Sequence, residues 1–279
     1  MAVSAMRNRR TVFFISDRTG ITVEMLGNSL LTQFEGIEFQ RTTLPFVDTA
    51  EKIDQAVEEI TDAGRRDGQR PIVISSMVDD AMSARLGRAD ALFLDFFHVF
   101  IAPLEAELGF KSSHAAGRSH GVANSTEYLA RIDAVNYSLA HDDGQTTKDL
   151  GNAQVILVGV SRSGKTPTAL YLALQFGIRA ANFPLTPDDF GDGKLPLSLQ
   201  PFRDNLFGLT IKPDRLSKIR SVRRPESTYA SMANCQYEIR EAEAMMEREG
   251  IPVLDTTTRS IEEIATTIVH HAKLVRHIF

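Results

Sequence analysis

Residues 155–173 read VILVGVSRSGKTPTALYLA, and the fold of the chain is decided there. An apolar run, Val155 to Val158, meets a glycine-rich turn, then Lys165, Thr166 and a segment with helical spacing. A short continuous apolar run bounded by a turn marks a strand buried on both faces, as in a parallel sheet. From Gly159 to Thr166 the stretch satisfies G-x-x-x-x-G-K-[ST]. Small residues at Gly159, Ser161, Ser163 and Gly164 let the backbone curl around an anion without Cβ clashes. A helix starting near Thr166 adds its positive dipole end, Lys165 can reach the outer phosphates, and the Thr166 hydroxyl is placed to ligate Mg²⁺. The whole loop, Gly159, Val160, Ser161, Arg162, Ser163, Gly164, Lys165 and Thr166, is therefore expected to hold nucleotide phosphates. Pro167 is tolerated in a first helical turn.

Outward from this loop, strands alternate with helices in both directions. Downstream the pattern predicts a helix over 166–176, a strand over 178–183, a Pro/Asp/Gly-rich excursion over 184–204 and a strand over 206–211. Helices over 213–222 and 227–249, a strand over 251–254 and a closing helix over 260–276 complete this half. Upstream it predicts strands over 11–16, 38–44 and 71–75, with helices over 21–34, 49–63 and 79–86. Residues 89–108 read as one helix, in preference to a strand around 92–94. Residues 109–126 lose the apolar pattern and read as a long loop, a feature usually functional or disordered. Helix resumes over 127–141 and ends at the turn Asp142-Asp143-Gly144. The expected class is α/β: an N-terminal layered region, 11–150, then a kinase-like domain with a mostly parallel sheet, 151–279. The boundary between them falls near 145–152.

Bulk properties limit the function. With 279 residues the chain can bury a substantial core, and 43% hydrophobic with 24% charged residues is a soluble globular composition. A formal net charge of −5 leaves no excess of cations for nucleic-acid phosphates. Cys235 is the single cysteine, so no intrachain disulfide can form. No apolar run reaches membrane-span length, and no signal-peptide segment follows the basic residues 1–10 before Asp17. A cytoplasmic protein is expected, with neither membrane nor nucleic acid as a partner.

Other chemistry-bearing residues carry two readings each. Asp255 ends the last strand, as a Mg²⁺ ligand would, yet a turn or helix-capping role suits it better there. Arg220, Arg223 and Arg224 could supply cations to a transferring phosphoryl group or form a solvated helix face. Asp17, after the first strand, and Asp142 and Asp143 are acids at turns that could orient a hydroxyl and take its proton; Asp and Gly are also ordinary turn formers. His120 and His141 show no metal-ligand spacing. Asp189-Phe190-Gly191 spells a protein-kinase metal triplet, but the accompanying H-R-D and V-A-I-K motifs are absent, so the match is a coincidence.

Several segments together resemble one family: TVFFISDRTGITVEMLG at 11–27, RIDAVNYSLAHDDG at 131–144, VILVGVSRSGKTPTALYLALQFGIRAANFPL at 155–185 and LFGLTIKPDRLSKIR at 206–220. His120-Gly121 followed by Asn124 fits as well. These are similar to the phosphoenolpyruvate synthase regulatory proteins, bacterial relatives of the plant pyruvate, phosphate dikinase regulatory protein, over about residues 11–275. The resemblance implies a bifunctional enzyme acting on phosphoenolpyruvate synthase. It would phosphorylate a threonine with ADP as donor and remove that phosphate with inorganic phosphate as acceptor, forming pyrophosphate. On that reading Lys165 faces the β-phosphate of ADP, Asp17, Asp142 and Asp143 are candidate catalytic acids, and a homodimer is compatible. The competing readings are a small-molecule kinase using the same loop and a non-catalytic nucleotide-sensing regulator.

Overall fold

The structure is a computed structural model that describes residues 9–113, 125–191 and 193–275. The chain divides into two compact units, residues 1–120 and 121–279, each built on a four-stranded, all-parallel sheet. This is the layered α/β class expected from the alternating pattern.

In the first unit the strands are β1 (Arg9–Ile15), β2 (Glu38–Leu44), β3 (Ile72–Ser75) and β4 (Leu92–Asp95), in the order β2-β1-β3-β4. The helices are α1 (Ile21–Leu31), α2 (Ala50–Asp67), α3 (Asp80–Leu86) and α4 (Phe96–Leu108). Alternation along β1 sends Phe13 and Ile15 into one apolar layer, with Ile53, Ile60, Val73 and Leu86. It sends Val12 and Phe14 into the other, with Val23, Leu31 and Ile74. A sheet buried on both faces needs helices on both, which is why its central strands β1 and β3 are apolar on both sides, whereas the edge strand β2 keeps exposed polar residues. Gly27 lets α1 lie close on that sheet, because a Cβ there would overlap the Phe14 ring.

The single helix read over 89–108 is two elements. Leu92–Asp95 pairs with β3 as the sheet's edge, and Asp95 then caps α4, its carboxylate accepting from the His98 N–H at 3.1 Å. The apolar run hides the break, since a strand residue and a helix residue can share the same side-chain chemistry. The cap is the signal that separates them.

In the second unit the strands are β5 (Val155–Val160), β6 (Ala180–Leu185), β7 (Leu206–Thr210) and β8 (Val253–Asp255), in the order β6-β5-β7-β8. Its helices are α5 (Ser125–Ala140), α6 (Lys165–Phe176), α7 (Pro213–Arg223), α8 (Met232–Arg248) and α9 (Ile261–His271). β5 is buried along its whole length: Ile156, Val158 and Val160 meet the α8 side with Ile239, Ala242 and Met245. Val155 and Leu157 meet Ala169 and Leu172 of α6 and Ile264 and Ile268 of α9. The sequence reading divides the chain at 145–152, whereas compactness divides it after residue 120. Helix α5 packs on α6 and β6, and the Asp142–Gly144 turn packs on β6. Those are contacts between distant residues that no local pattern encodes. Among the described residues no helix is long and apolar enough to cross a membrane.

Candidate active site

The 159–166 loop joins the central strand β5 to α6. Gly159 has φ 147°, and a Cβ there would strike the Leu209 carbonyl oxygen, so glycine is required by both conformation and space. Gly164, at φ 95°, caps α6 in the left-handed region, and Arg162 takes φ 76° without a glycine's freedom. Thr256, just past β8, braces the loop from below, donating to the Ser163 carbonyl at 3.0 Å. Lys165 is only 3% exposed and donates to the Val160 carbonyl at 3.0 Å, so its ammonium lies folded back along the loop. Burial pulls its pKa down to about 8, with Arg220 and Arg162 acting in the same direction and Asp143 and Asp142 opposing.

The two acids after α5 come to this loop and take different stations. The Thr166 hydroxyl donates to Asp142 Oδ1 at 2.8 Å. Asn182 of β6, which the sequence reading does not single out, holds the pair together. Its Nδ2 donates to Asp142 Oδ1 and, at 3.1 Å, to Thr166 Oγ1, while its Oδ1 accepts from the Asp143 N–H at 3.1 Å. Its own N–H donates to the His141 carbonyl at 3.0 Å, so the turn is stapled to β6 by backbone and side chain alike. Asp142 is thereby occupied, whereas Asp143, in a left-handed conformation at φ 51°, lines the open cavity. The only hint in the sequence is a polar residue inside the buried strand AANFPL, and its aspartate partners lie about forty positions away. Asn182→Ala removes one of the two donors to the Asp142 carboxylate and the acceptor of the Asp143 N–H, and should cost about 1–3 kcal/mol. Urea denaturation measures this, and an unchanged midpoint would mean the turn holds itself.

On the opposite side the loop meets α7 and the turn after it. Tyr229 OH and Ser161 Oγ are 3.0 Å apart. Arg220 is fully buried and bonded to Glu238 at 2.6 Å, to the Ser161 carbonyl at 3.1 Å and to the Tyr229 carbonyl at 3.0 Å. Its guanidinium also lies 4.1 Å from the Tyr229 ring centre. Of the three arginines read as a cluster, this one braces the loop and is spent, while Arg223 and Arg224 line the cavity. That cavity has a volume of about 490 Å³, and its wall includes Asp143, Arg162, Lys165, Thr166 and Tyr229.

The remaining candidates have their own surroundings. Asp17 lies at the carboxyl end of β1 in the first unit, where partial burial pushes its carboxyl up against the opposing pull of Arg18 and of its own and Val78's backbone N–H groups. Asp255 accepts from the Thr257 N–H at 2.8 Å and from its hydroxyl, a turn role. His141 faces the Tyr137 and Lys148 carbonyls with its two ring nitrogens, at 2.9 and 2.7 Å, and stacks on Tyr137. Asp189 closes a capping box on Thr186, the local job behind its kinase-like triplet. His120, Gly121 and Asn124 lie outside the described residues. Among the described residues no group of three or more His, Cys, Asp or Glu side chains could hold a metal ion by itself.

A parallel α/β unit with a buried lysine, a helix N-terminus and the Asp143 carboxylate around one cavity has the makings of a phosphoryl-transfer protein. The kinase/pyrophosphorylase family matches residues 12–269, and the chain belongs to it. A relative from Alkalilimnicola ehrlichii is 58% identical over 271 residues, covering 97% of this chain and 98% of its own length. Relatives from Burkholderia mallei and Burkholderia pseudomallei are each 55% identical over 269 residues, covering 96% of this chain and 99% of their own. All three are provisionally named phosphoenolpyruvate synthase regulatory proteins.

Proposed function

We propose that this protein is a bifunctional regulator of phosphoenolpyruvate synthase, phosphorylating a threonine of that enzyme from ADP and removing the phosphate by phosphorolysis. The observation that carries this reading is the shared cavity, with Lys165 and Thr166 in its wall and Asp143 free beside them, in a chain of this family. In the forward direction the threonine hydroxyl oxygen attacks the β-phosphorus of ADP. The bond from that phosphorus to the bridging oxygen breaks, AMP departs with the oxygen, and Asp143 accepts the hydroxyl proton. Lys165 neutralises charge on the transferred group, and the N–H groups of the loop orient its oxygens.

In reverse, inorganic phosphate takes the position of the β-phosphate and attacks phosphothreonine. The proton carried by hydrogenphosphate ends on the released threonine oxygen, and pyrophosphate leaves. Thr166 Oγ1 and Asp142 Oδ1, 2.8 Å apart, are the hard oxygen donors that Mg²⁺ prefers, so the pair fits that ion. Bound there, Mg²⁺ would screen charge on the phosphates.

The test is incubation with the synthase and ADP labelled at the β-phosphate. Label should appear on a threonine with release of AMP, and added inorganic phosphate should then return it as labelled pyrophosphate. Label that stays in ADP, or moves to a metabolite in place of the protein, overturns the proposal.

A further inference from the structure

The two ends of the 159–166 loop meet different neighbours. At the helix end Thr166, Asp142 and Asn182 form one closed hydrogen-bonded group. At the strand end Ser161 meets Tyr229, and beyond it Ile219, Arg223 and Arg224 complete the cavity wall. Charge also differs between floor and rim. The floor carries Lys165 with Asp142 and Asp143, neither of them ion-paired with it among the described residues, so taken alone the floor is net anionic and poorly suited to hold two phosphates at once. Arg162, Arg223 and Arg224 reverse that sign. Among the described residues the Arg223 and Arg224 guanidiniums carry no ion pair or hydrogen bond, in contrast to Arg220, whose donors go to Glu238 and two backbone carbonyls. Free guanidiniums on a cavity wall are suited to bidentate recognition of a phosphate.

We infer that Arg223 and Arg224, beside Tyr229, form a second phosphate subsite, which receives the phosphomonoester carried on the protein substrate and is distinct from the loop that holds the donor. This rests on the proposed function. In-line transfer needs the entering and leaving oxygens on opposite sides of the phosphorus, so acceptor and donor must approach from opposite ends of one cavity. In phosphorolysis both occupants are anions: inorganic phosphate in the loop and phosphothreonine at the rim. Tyr229, wedged between the buried Arg220 guanidinium and the cavity, keeps the rim at a set distance from Ser161.

The experiment compares wild type with Arg223→Ala/Arg224→Ala, using full-length protein and phosphorylated synthase. The readouts are KM for the phosphoprotein in phosphate-dependent pyrophosphate release, and the Kd of ADP by calorimetry. For the double variant KM should rise about tenfold or more, an effect that weakens as salt is added. The Kd of ADP should stay within about twofold, since the loop is untouched. Arg223→Lys/Arg224→Lys should restore part of the loss, because a point charge survives but the planar fork does not. ADP affinity falling in parallel with phosphoprotein affinity would make the arginines a clamp on the donor, and an unchanged KM would make them a solvated face. Either result overturns the subsite while leaving the enzyme's function standing. Wild-type protein that releases no pyrophosphate overturns the function and the subsite together.

Discussion

On the proposed function, Lys165→Met should abolish both directions of phosphoryl transfer while making the folded protein more stable. The two effects have one cause. The ammonium is buried, and burial without a full counter-charge lowers its pKa from the usual 10.5 to about 8. Between those values the unfolded chain keeps the proton and the folded one sheds it. The lysine therefore destabilises the fold below about pH 8, and the penalty is relieved as pH rises from about 8 to 10.5. The shift corresponds to about 3 kcal/mol of destabilisation at neutral pH. Methionine keeps most of the volume without the charge, so denaturation at pH 7 should show a gain of that order, less the lost bond to the Val160 carbonyl. On the proposed function a nucleotide phosphate supplies the missing counter-charge, so ADP affinity should fall as pH rises above about 8. A shared phosphate position predicts that the variant loses ADP-dependent phosphorylation and phosphate-dependent release together. Full phosphorolysis by the variant would show that inorganic phosphate binds elsewhere, and a loss of stability would show that Lys165 is paid for within the apo fold.

Local pattern carried the architecture a long way. β5 and the turn after it are legible because a strand buried on both faces must be apolar throughout, and because a glycine is the only residue that fits beside the Leu209 carbonyl. The two aspartates were visible as a turn at 142–144 but not as a division of labour. What separates Asp142 from Asp143 is Asn182 on a neighbouring strand, fixed by the parallel register that sets it opposite Leu157. Asp95 shows the opposite case: the cap is present in the sequence, but one polar residue within a largely apolar run does not announce a break. The three arginines are the clearest limit. Arg220, Arg223 and Arg224 look equivalent within five residues, yet burial sorts them by a carboxylate eighteen positions further on. Helical spacing alone does not say which face of α7 will meet α8.

That sorting has a measurable consequence. Arg220→Leu should destabilise the second unit by about 3–5 kcal/mol, because Glu238 is left buried and uncompensated beside an apolar side chain. Asn234 still donates to the other Glu238 oxygen at 2.6 Å, but a neutral amide does not cancel a charge. Arg220→Leu/Glu238→Leu should recover most of that loss, since a buried ion pair contributes little net stability over well-packed apolar groups. Arg220 Nε, buried without a hydrogen-bond partner among the described residues, makes the native pair costlier still. The pair is therefore expected to be retained for position rather than for stability. Arg220 ties α7 and α8 to the Ser161 carbonyl and supports the Tyr229 ring. The double variant should fold nearly as stably as wild type and yet, on the proposed function, bind ADP at least tenfold more weakly, the effect of losing one charge-assisted bond and the brace it provides. Urea midpoints and calorimetric titration on the same preparations separate the two effects. Equal destabilisation of the single and double variants would mean that the loss comes from packing and not from the stranded carboxylate. Wild-type ADP affinity in a stable double variant would mean that the loop holds its shape without Arg220.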